Sequence, residues 1–565
     1  MKIVIIGGVA GGASAAARLR RLNEKAQIIL LERSGFISYA NCGLPYYIGG
    51  AIQDAEELTL QTPESFWDRF QVEARVGHEV LSIDRETKSV TVRQLSTGKT
   101  YTETYDKLIL SPGAKPFRPN LTGIDSEKIY TLRTVEDTLR IRKAAVDAGC
   151  KAAVVVGGGF IGVETAENFR ELGMEVTLIE KQTQVLGQFD SDIASFVHAH
   201  MQEKGVRLLL GKSVAGFEEN RNGVTVHIEN AQPIQTDIVV LAIGVVPDNQ
   251  LAKNAGLALG QKGSIAVDDQ MQTSDPDIYA VGDAVEILHK ITGEKSIIPL
   301  AGPANKQGRI AADAICGLDS RYKGAAASSI LKIFDMTAAS TGINERIARA
   351  ENIKYDKVIL SPASHATYYP GGKVMTMKVL FERNSQRILG AQIVGYDGVD
   401  KRIDVLATAM QANMRVSTLG ELDLAYAPPY SSAKDPVNMA GFIAENLING
   451  KVKQFYYEDL AALPRDGSVT LLDTRTDGEY RMGHAEGFET HIPVDDLRCR
   501  MQELDQSKPV YVMCQSGLRS YIACRILTQN GFDCYNFAGG YRLYKSIHAG
   551  KQASTQAYPC GMDKK

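Results

Sequence analysis

The sequence predicts a multidomain α/β protein, and three observations carry that expectation. Two strand–glycine turn–helix–strand units stand about 150 residues apart, and each closes on a glutamate. Near the C-terminus a third strand runs into a helix through a loop that begins with a cysteine, Cys514. At 565 residues the chain is also too long for one hydrophobic core, and length alone suggests three or four domains.

Charged residues make up 23% of the chain and hydrophobic residues 44%, the balance of an ordinary soluble protein. A net charge of −3 argues against a nucleic-acid partner, which would need a basic surface. No apolar run approaches the roughly 20 residues that span a bilayer. The opening Met-Lys-Ile-Val-Ile-Ile-Gly-Gly lacks the zones of a secretory signal, so a cytoplasmic location and no membrane partner are expected. The eight cysteines are scattered without a C-x-x-C pair, which points to neither a metal site nor a disulfide framework.

The first unit reads as a buried strand, Lys2–Ile6, then a glycine turn, then an Ala-rich helix from Ala13 to Leu22. A second strand from Gln27 ends at Glu32. Glycines in such a turn let the backbone approach a pyrophosphate at the helix start, and the acid takes ribose hydroxyls. The spacing is G-x-V-x-x-G, with Val9 at the place of the usual middle glycine. The second unit runs from the strand Lys151–Val156 through the full G-x-G-x-x-G of Gly157, Gly159 and Gly162. Its helix spans Val163–Leu172, and its second strand ends at Glu180. Together these are two Rossmann-like domains, and two dinucleotides on one chain suggest a flavin, FAD, plus a nicotinamide. Glu180 favours NADH because it repels a 2′-phosphate, while Lys181 leaves some room for NADPH.

Two further strands run into Gly or Pro turns, at Tyr105–Ala114 and Asp237–Pro247. Another, at Thr273–Asp283, ends in Gly-Asp ahead of an expected helix. Asp283 is either a flavin-binding acid or a simple helix cap. The stretch Ser38-Tyr39-Ala40-Asn41-Cys42-Gly43-Leu44-Pro45 places one thiol at the start of a helix. Such a thiol can have a lowered pKa and act as a nucleophile, the alternative being a buried free cysteine.

The two glycine turns followed by T-S-x-P-x-I-Y-A-V-G-D, in that order, resemble the FAD- and NAD(P)H-dependent pyridine nucleotide–disulfide oxidoreductases. Large members carry C-x-x-x-x-C beside the flavin, whereas Ile37 and Tyr47 stand five positions either side of Cys42. The resemblance over about residues 1–450 therefore narrows to the single-cysteine branch. That branch holds coenzyme A-disulfide, coenzyme A-persulfide and polysulfide reductases, NADH oxidases and NADH peroxidases. It implies a FAD-binding domain over 1–115 and 248–324, an NADH-binding domain over 116–247, and a mixed α/β dimerisation domain over 325–450 of a homodimer. The expected cofactor-binding residues are Gly7, Val9, Ala10, Gly11, Gly12, Glu32, Arg33, Gly113, Gly157, Gly159, Gly162, Glu180, Gly244, Asp283 and Ala301.

The resemblance also makes Cys42 the catalytic thiol and gives two tyrosines a role. Tyr368 and Tyr426, in aromatic Pro-containing loops, match phenols that reach across the dimer to the thiolate of the other subunit. Packing at an interface is the plainer reading of such loops. Of Arg18, Arg20 and Arg21 on the first helix, Arg18 and Arg21 match coenzyme A contacts best, with Ser38 and Asn41 nearer the pantetheine end. Coenzyme A brings a 3′-phosphate and a pyrophosphate, which suit arginine forks.

From residue 451 the character changes, with a linker at 451–458 and a compact unit at 459–548. The order D-x-R-x-x-x-E-Y-x-x-G-H, then C-x-x-G-x-R-S from Cys514, resembles a rhodanese domain. Backbone N–H groups curled round such a cysteine make an anion and persulfide cradle, with Arg519 adding charge. The tail 549–565 is expected to be flexible, and its Cys560 without a role. The implied function is NADH-dependent reduction of a coenzyme A persulfide, polysulfide or disulfide, with sulfane sulfur carried on Cys514. The alternatives are an NADH oxidase or peroxidase cycling through a cysteine sulfenic acid, and a flavin redox sensor with a docking domain.

Overall fold

A computed structural model describes residues 1–221 and 223–550, so Cys560 and nearly all of the expected tail at 549–565 lie outside the described residues. The chain forms two units: Met1–Thr183 with Gly205–Ala327, and Gln184–Lys204 with all that follows from Ser328.

In the first unit, β1 (Lys2–Ile6) leads through the glycine turn into α1 (Ala10–Leu22) and back as β2 (Gln27–Glu32). After a short turn at Asn41–Gly43 come α2 (Leu44–Gly49), α3 (Pro63–Phe70), β3 (Glu73–Val76) and β4 (Lys107–Leu110). The second dinucleotide unit begins at β5 (Ile129–Thr131) and continues as β6 (Ala152–Val156), α4 (Phe160–Glu171) and β7 (Glu175–Glu180). Helix α5 (Ser191–Glu203) then leaves for the other unit before β8 (Val206–Leu210) and β9 (Ile238–Leu241) resume the sheet. The first domain is completed by β10 (Ile278–Ala280) and α6 (Ala301–Ile315). The two parallel sheets run β10-β4-β1-β2-β3 and β5-β9-β6-β7-β8. Their central strands are covered on both faces, as continuous runs such as Lys-Ile-Val-Ile-Ile require; Val4, Ile5 and Val155 are fully buried.

The second unit holds an antiparallel sheet of β11 (Ser329–Ile333), β12 (Met336–Gly342), β13 (Tyr355–Leu360), β14 (Thr376–Glu382) and β15 (Ile388–Gly395), in the order β11-β12-β15-β14-β13. A short helix, α7 (Glu345–Ala350), lies within it, and α8 (Val399–Gln411) and α9 (Pro436–Ile448) follow. A second, parallel sheet is built from β16 (Lys453–Phe455), β17 (Thr470–Asp473), β18 (Thr490–His491), β19 (Val510–Met513) and β20 (Cys534–Phe537). Its order is β16-β20-β19-β17-β18, with α10 (Asp477–Arg481), α11 (Leu518–Gln529) and α12 (Gly540–His548) around it.

Several expectations are corrected. Both dinucleotide helices start about three residues earlier than read, so Gly11 and Gly12 form the first turn of α1 rather than a loop. No helix follows Asp283 directly; α6 starts only at Ala301, and the helix-cap reading of Asp283 falls. The segment 451–458 is not a free linker, because β16 is the edge strand of the C-terminal sheet. Segment 184–204, expected within the NADH-binding domain, packs with the second unit instead. The cause is a buried ion network: Lys378 is fully buried and bonds Asp192 at 2.8 Å, Asp190 at 3.0 Å and Glu345. Lys357 extends the network to Glu345 at 3.0 Å and to Glu458, tying the start of the C-terminal domain to the same sheet.

Candidate functional site

The two dinucleotide turns share one construction. In the first, Gly7 has φ +98, and a Cβ there would lie 2.0 Å from the carbonyl oxygen of Ser111. A Cβ on Gly12 would meet the Gly7 oxygen at 1.9 Å, so the strand and helix close only on glycine. Val9 precedes the first helical residue with φ −102, a negative value that asks for no left-handed glycine at this place. The second turn repeats this, with Gly157 at φ +110 and Gly162 against the Gly157 oxygen, while Gly159 has open space on its Cβ side. Glu32 accepts the N–H groups of Gly8 and Ser34, both at 2.8 Å. Glu180 accepts those of Gly158 at 2.6 Å and Gln182 at 2.7 Å. Each carboxylate is thus held at the mouth of its turn, where a ribose would sit. These cradles fit FAD and NADH: two glycine-lined helix starts, each with an oriented acid.

The other expected cofactor residues are more varied. Ala10 and Gly11 stand in the first turn of α1, and Ala301 opens α6. Gly308 lets α6 cross α1, since a Cβ there would lie 2.3 Å from the Gly11 oxygen. Gly244 has φ +112 with nothing near its Cβ side. Arg33 lies at the surface paired with Asp248 at 3.1 Å. Asp283 is bonded by Arg133 at 2.9 Å, and Arg133 Nη2 also fills the space that a Cβ on Gly113 would approach to 3.0 Å.

Cys42 is exposed and sits in the short turn ahead of α2. Its thiol is not acidified as the sequence suggested. Partial burial raises its pKa, the carboxylates of Glu164 and Asp283 add to that, and Arg133 opposes them. Glu164 lies on α4 of the second dinucleotide domain and is itself pushed up to about 7, chiefly by burial. It accepts a hydrogen bond from Tyr46 Oη at 3.3 Å. Sequence reasoning missed both Glu164 and Arg133, which belong to no motif used in the reading.

A cavity of about 370 Å³ lies along α1, with Arg18, Arg21, Ser38, Arg69, Asn305 and Arg309 among its lining residues. Three expected ligands, Arg18, Arg21 and Ser38, are therefore joined by Arg69 from α3 and Arg309 from α6. Arg18 is bonded to Asp313 at 2.7 Å, which cancels much of its charge. Arg20 is no solvated residue: it is buried and donates to five backbone carbonyls, those of Phe70, Asn23, Glu24, Ala26 and Gln71. Ser38 has φ +45, a strained angle for a non-glycine residue, at the point where the Cys42 stretch meets this cavity.

In the second unit, Tyr368 and Tyr426 lie side by side. Their hydroxyls are 2.6 Å apart and both rings are exposed. The hydrogen bond to Tyr426 raises the Tyr368 pKa. Farther along, Cys514 follows β19 and is fully buried, its Sγ accepting from Gly517 N at 3.1 Å and Ser520 Oγ at 3.2 Å. One glycine unrecognised in the sequence, Gly540, supports this loop. A Cβ on Gly540 would lie 2.6 Å from the Cys514 oxygen and Ser516 N, and the next residues of α12 donate to Cys514 O and Gln515 O. The motif acids explain the spacing. Asp473 pairs with Arg475 at 2.7 Å, and Glu479 takes both terminal nitrogens of Arg519 at 2.7 Å. Arg519 therefore does not point a free charge at the loop; its charge is matched by Glu479.

Comparison with known proteins agrees with this geometry. The family model described as pyridine nucleotide-disulphide oxidoreductase matches residues 1–308, more than half of the chain. The chain belongs to that family. The dimerisation domain of the pyridine nucleotide-disulphide oxidoreductases matches residues 328–436, and a rhodanese-like domain matches 457–547. A coenzyme A disulfide reductase of Staphylococcus epidermidis is 36% identical over 445 residues, 79% of this chain and all of that one. The crystal structure of reduced Bacillus anthracis CoADR-RHD is 47% identical, with a TM-score of 0.94 over 98% of this chain and 99% of that one. A NAD-dependent persulfide reductase from A. fulgidus is 37% identical, with a TM-score of 0.91 over 96% of this chain and 100% of that one. As a pyridine nucleotide-disulphide oxidoreductase the protein is an enzyme that uses FAD and NAD(H), and it carries a rhodanese-like domain at its C-terminal end.

Proposed function

We propose that this enzyme reduces coenzyme A persulfide, related polysulfides and coenzyme A disulfide with NADH, and that its rhodanese-like domain carries sulfane sulfur on Cys514. The observation that carries the reading is the arginine-lined cavity along α1. Arg21, Arg69 and Arg309 converge there, and Ser38, four residues before Cys42, lies at its edge. A 3′-phosphate and a pyrophosphate would match those guanidiniums, whereas oxygen or peroxide needs none of them. The comparisons support the substrate class through the printed activities of the relatives, coenzyme A disulfide reductase and persulfide reductase.

The first glycine turn and Asp283 would hold FAD, which when bound would supply the two electrons taken from NADH. The chain does the thiol chemistry. Cys42 thiolate attacks the sulfane sulfur of the persulfide, leaving Cys42 as a persulfide and releasing coenzyme A thiolate. Two electrons then cleave the S–S bond of Cys42, freeing hydrosulfide and restoring the Cys42 thiolate. With coenzyme A disulfide the same attack gives a mixed disulfide and one thiolate, and reduction releases the second. Tyr368 and Tyr426, supplied from the neighbouring subunit of a homodimer, donate hydrogen bonds to the sulfur anion. In the C-terminal domain, the N–H of Gly517 and the hydroxyl of Ser520 hold the Cys514 sulfur. Among the described residues no helix is long and apolar enough to cross a membrane, and a reducing cytoplasm suits the free thiols.

The test is NADH consumption with oxygen, peroxide, coenzyme A disulfide and coenzyme A persulfide side by side. The two coenzyme A substrates should dominate kcat/KM. Faster turnover with oxygen or peroxide would replace this reading by the sulfenic acid cycle.

A further inference from the structure

Arg133 matches no motif, yet it stands at the centre of the groups around Cys42. It follows β5, where its backbone N–H donates to Asp137 at 3.1 Å. Its Nη2 donates to Asp283 Oδ2 at 2.9 Å. With the amide of Asn41 turned to match donor to acceptor, Asn41 accepts from Arg133 Nη1 and donates to the Arg133 carbonyl, both at 3.1 Å. Gly113, at φ +70, leaves the room that the guanidinium occupies. One side chain therefore links the residue next to Cys42, a strand-end glycine and the acid after β10.

The charged groups facing Cys42 come from separate elements: Glu164 on α4, Asp283 after β10 and Arg133 after β5, with the Tyr46 phenol on α2 beside Glu164. A sulfur anion near these two carboxylates is opposed by both. A neutral polyol bonding to Asp283 would leave that acid's charge in place, so the conflict persists when a flavin is bound. Arg133 is the cation that relieves it.

We propose that Arg133 is a positioning residue that neutralises Asp283 and braces Asn41, so that Cys42 ionises more readily than it would beside an unpaired acid. The proposal rests on the reading of Cys42 as the nucleophile. Its test does not use turnover, so failure of one can be told from failure of the other.

The experiment is the pH profile of Cys42 alkylation by iodoacetamide in the flavin-loaded dimer, read by peptide mass so that the exposed Cys499 does not contribute. Arg133→Gln should move the midpoint up by about one pH unit, roughly a tenfold slower alkylation at pH 7. Arg133→Lys keeps the charge and should stay within about half a unit of wild type. Arg133→Gln combined with Asp283→Asn should return most of the shift, because the acid to be cancelled is gone. A midpoint unchanged in Arg133→Gln, or shifted equally in Arg133→Lys, overturns the proposal. If Arg133→Gln fails to hold flavin, Asp283→Asn alone decides: a lowered midpoint supports the idea, and an unchanged or raised one overturns it.

Discussion

Replacing Glu479 by Gln should loosen the C-terminal domain and silence Cys514 while leaving the flavin half intact. Glu479 and Arg519 are 3% and 6% exposed, joined by two bonds of 2.7 Å, and Glu479 also accepts from Thr476 N at 2.8 Å. The amide keeps the shape but leaves a guanidinium buried without its counter-charge. Breaking one side of a buried pair costs about 3–5 kcal/mol, a large share of the ~5–15 kcal/mol that holds a domain together. Glu479→Gln with Arg519→Met removes both charges and should recover at least about half of that loss. The pH dependence has a definite sign. Burial alone would raise the Glu479 pKa, but the bonds and charge of Arg519 win and lower it. A depressed carboxylate gives stability that is present above its unfolded value and lost as pH falls through the folded one. The wild-type domain should therefore weaken below about pH 4.5, and the double variant should weaken less. Urea unfolding followed by transfer of sulfur from thiosulfate to cyanide reads both effects. A single variant within about 1 kcal/mol of wild type, or a double variant worse than the single, would refute the reasoning.

Three more outcomes are expected. Because Glu180 is fixed at the mouth of the second turn, kcat/KM should favour NADH over NADPH by at least about tenfold, and Glu180→Ala should narrow that gap. Arg69→Ala or Arg309→Ala should raise KM for coenzyme A persulfide about tenfold or more with kcat nearly unchanged, and should not affect a pantetheine persulfide that lacks the phosphates. Tyr368→Phe and Tyr426→Phe should each slow thiol-substrate reduction by about 10- to 150-fold. Since the two hydroxyls bond each other, the double variant should lose little more than the worse single one.

The sequence showed most where local geometry dictates residue type. The glycine turns, their terminal glutamates and the Cys514 loop were all readable, because only glycine fits Gly7 and Gly12 and because strand-to-helix loops have short, fixed spacing. Arg18, Arg20 and Arg21 were legible as a cluster but not individually. Which guanidinium faces the cavity, pairs with Asp313 or turns inward to backbone carbonyls depends on distant segments. The same limit hid Arg133, which meets Asn41 and Asp283 from far along the chain, and Glu164, whose burial lifts its pKa. It also hid the departure of α5: nothing local to Asp190 and Asp192 announces that Lys378, nearly 190 positions on, will be buried between them. The segment 451–458 looked like a linker because three residues are too few to read as a strand until a neighbouring strand pairs with them.

The central claim is that Cys42 carries electrons to sulfur. The direct measurement mixes NADH-reduced enzyme, freed of excess NADH, with one equivalent of coenzyme A persulfide, and follows flavin oxidation and sulfide release together. Wild type should release one sulfide for each flavin reoxidised, and Cys42→Ser should bind flavin, accept electrons from NADH and release none. Sulfide release by Cys42→Ser at the wild-type rate would contradict the account.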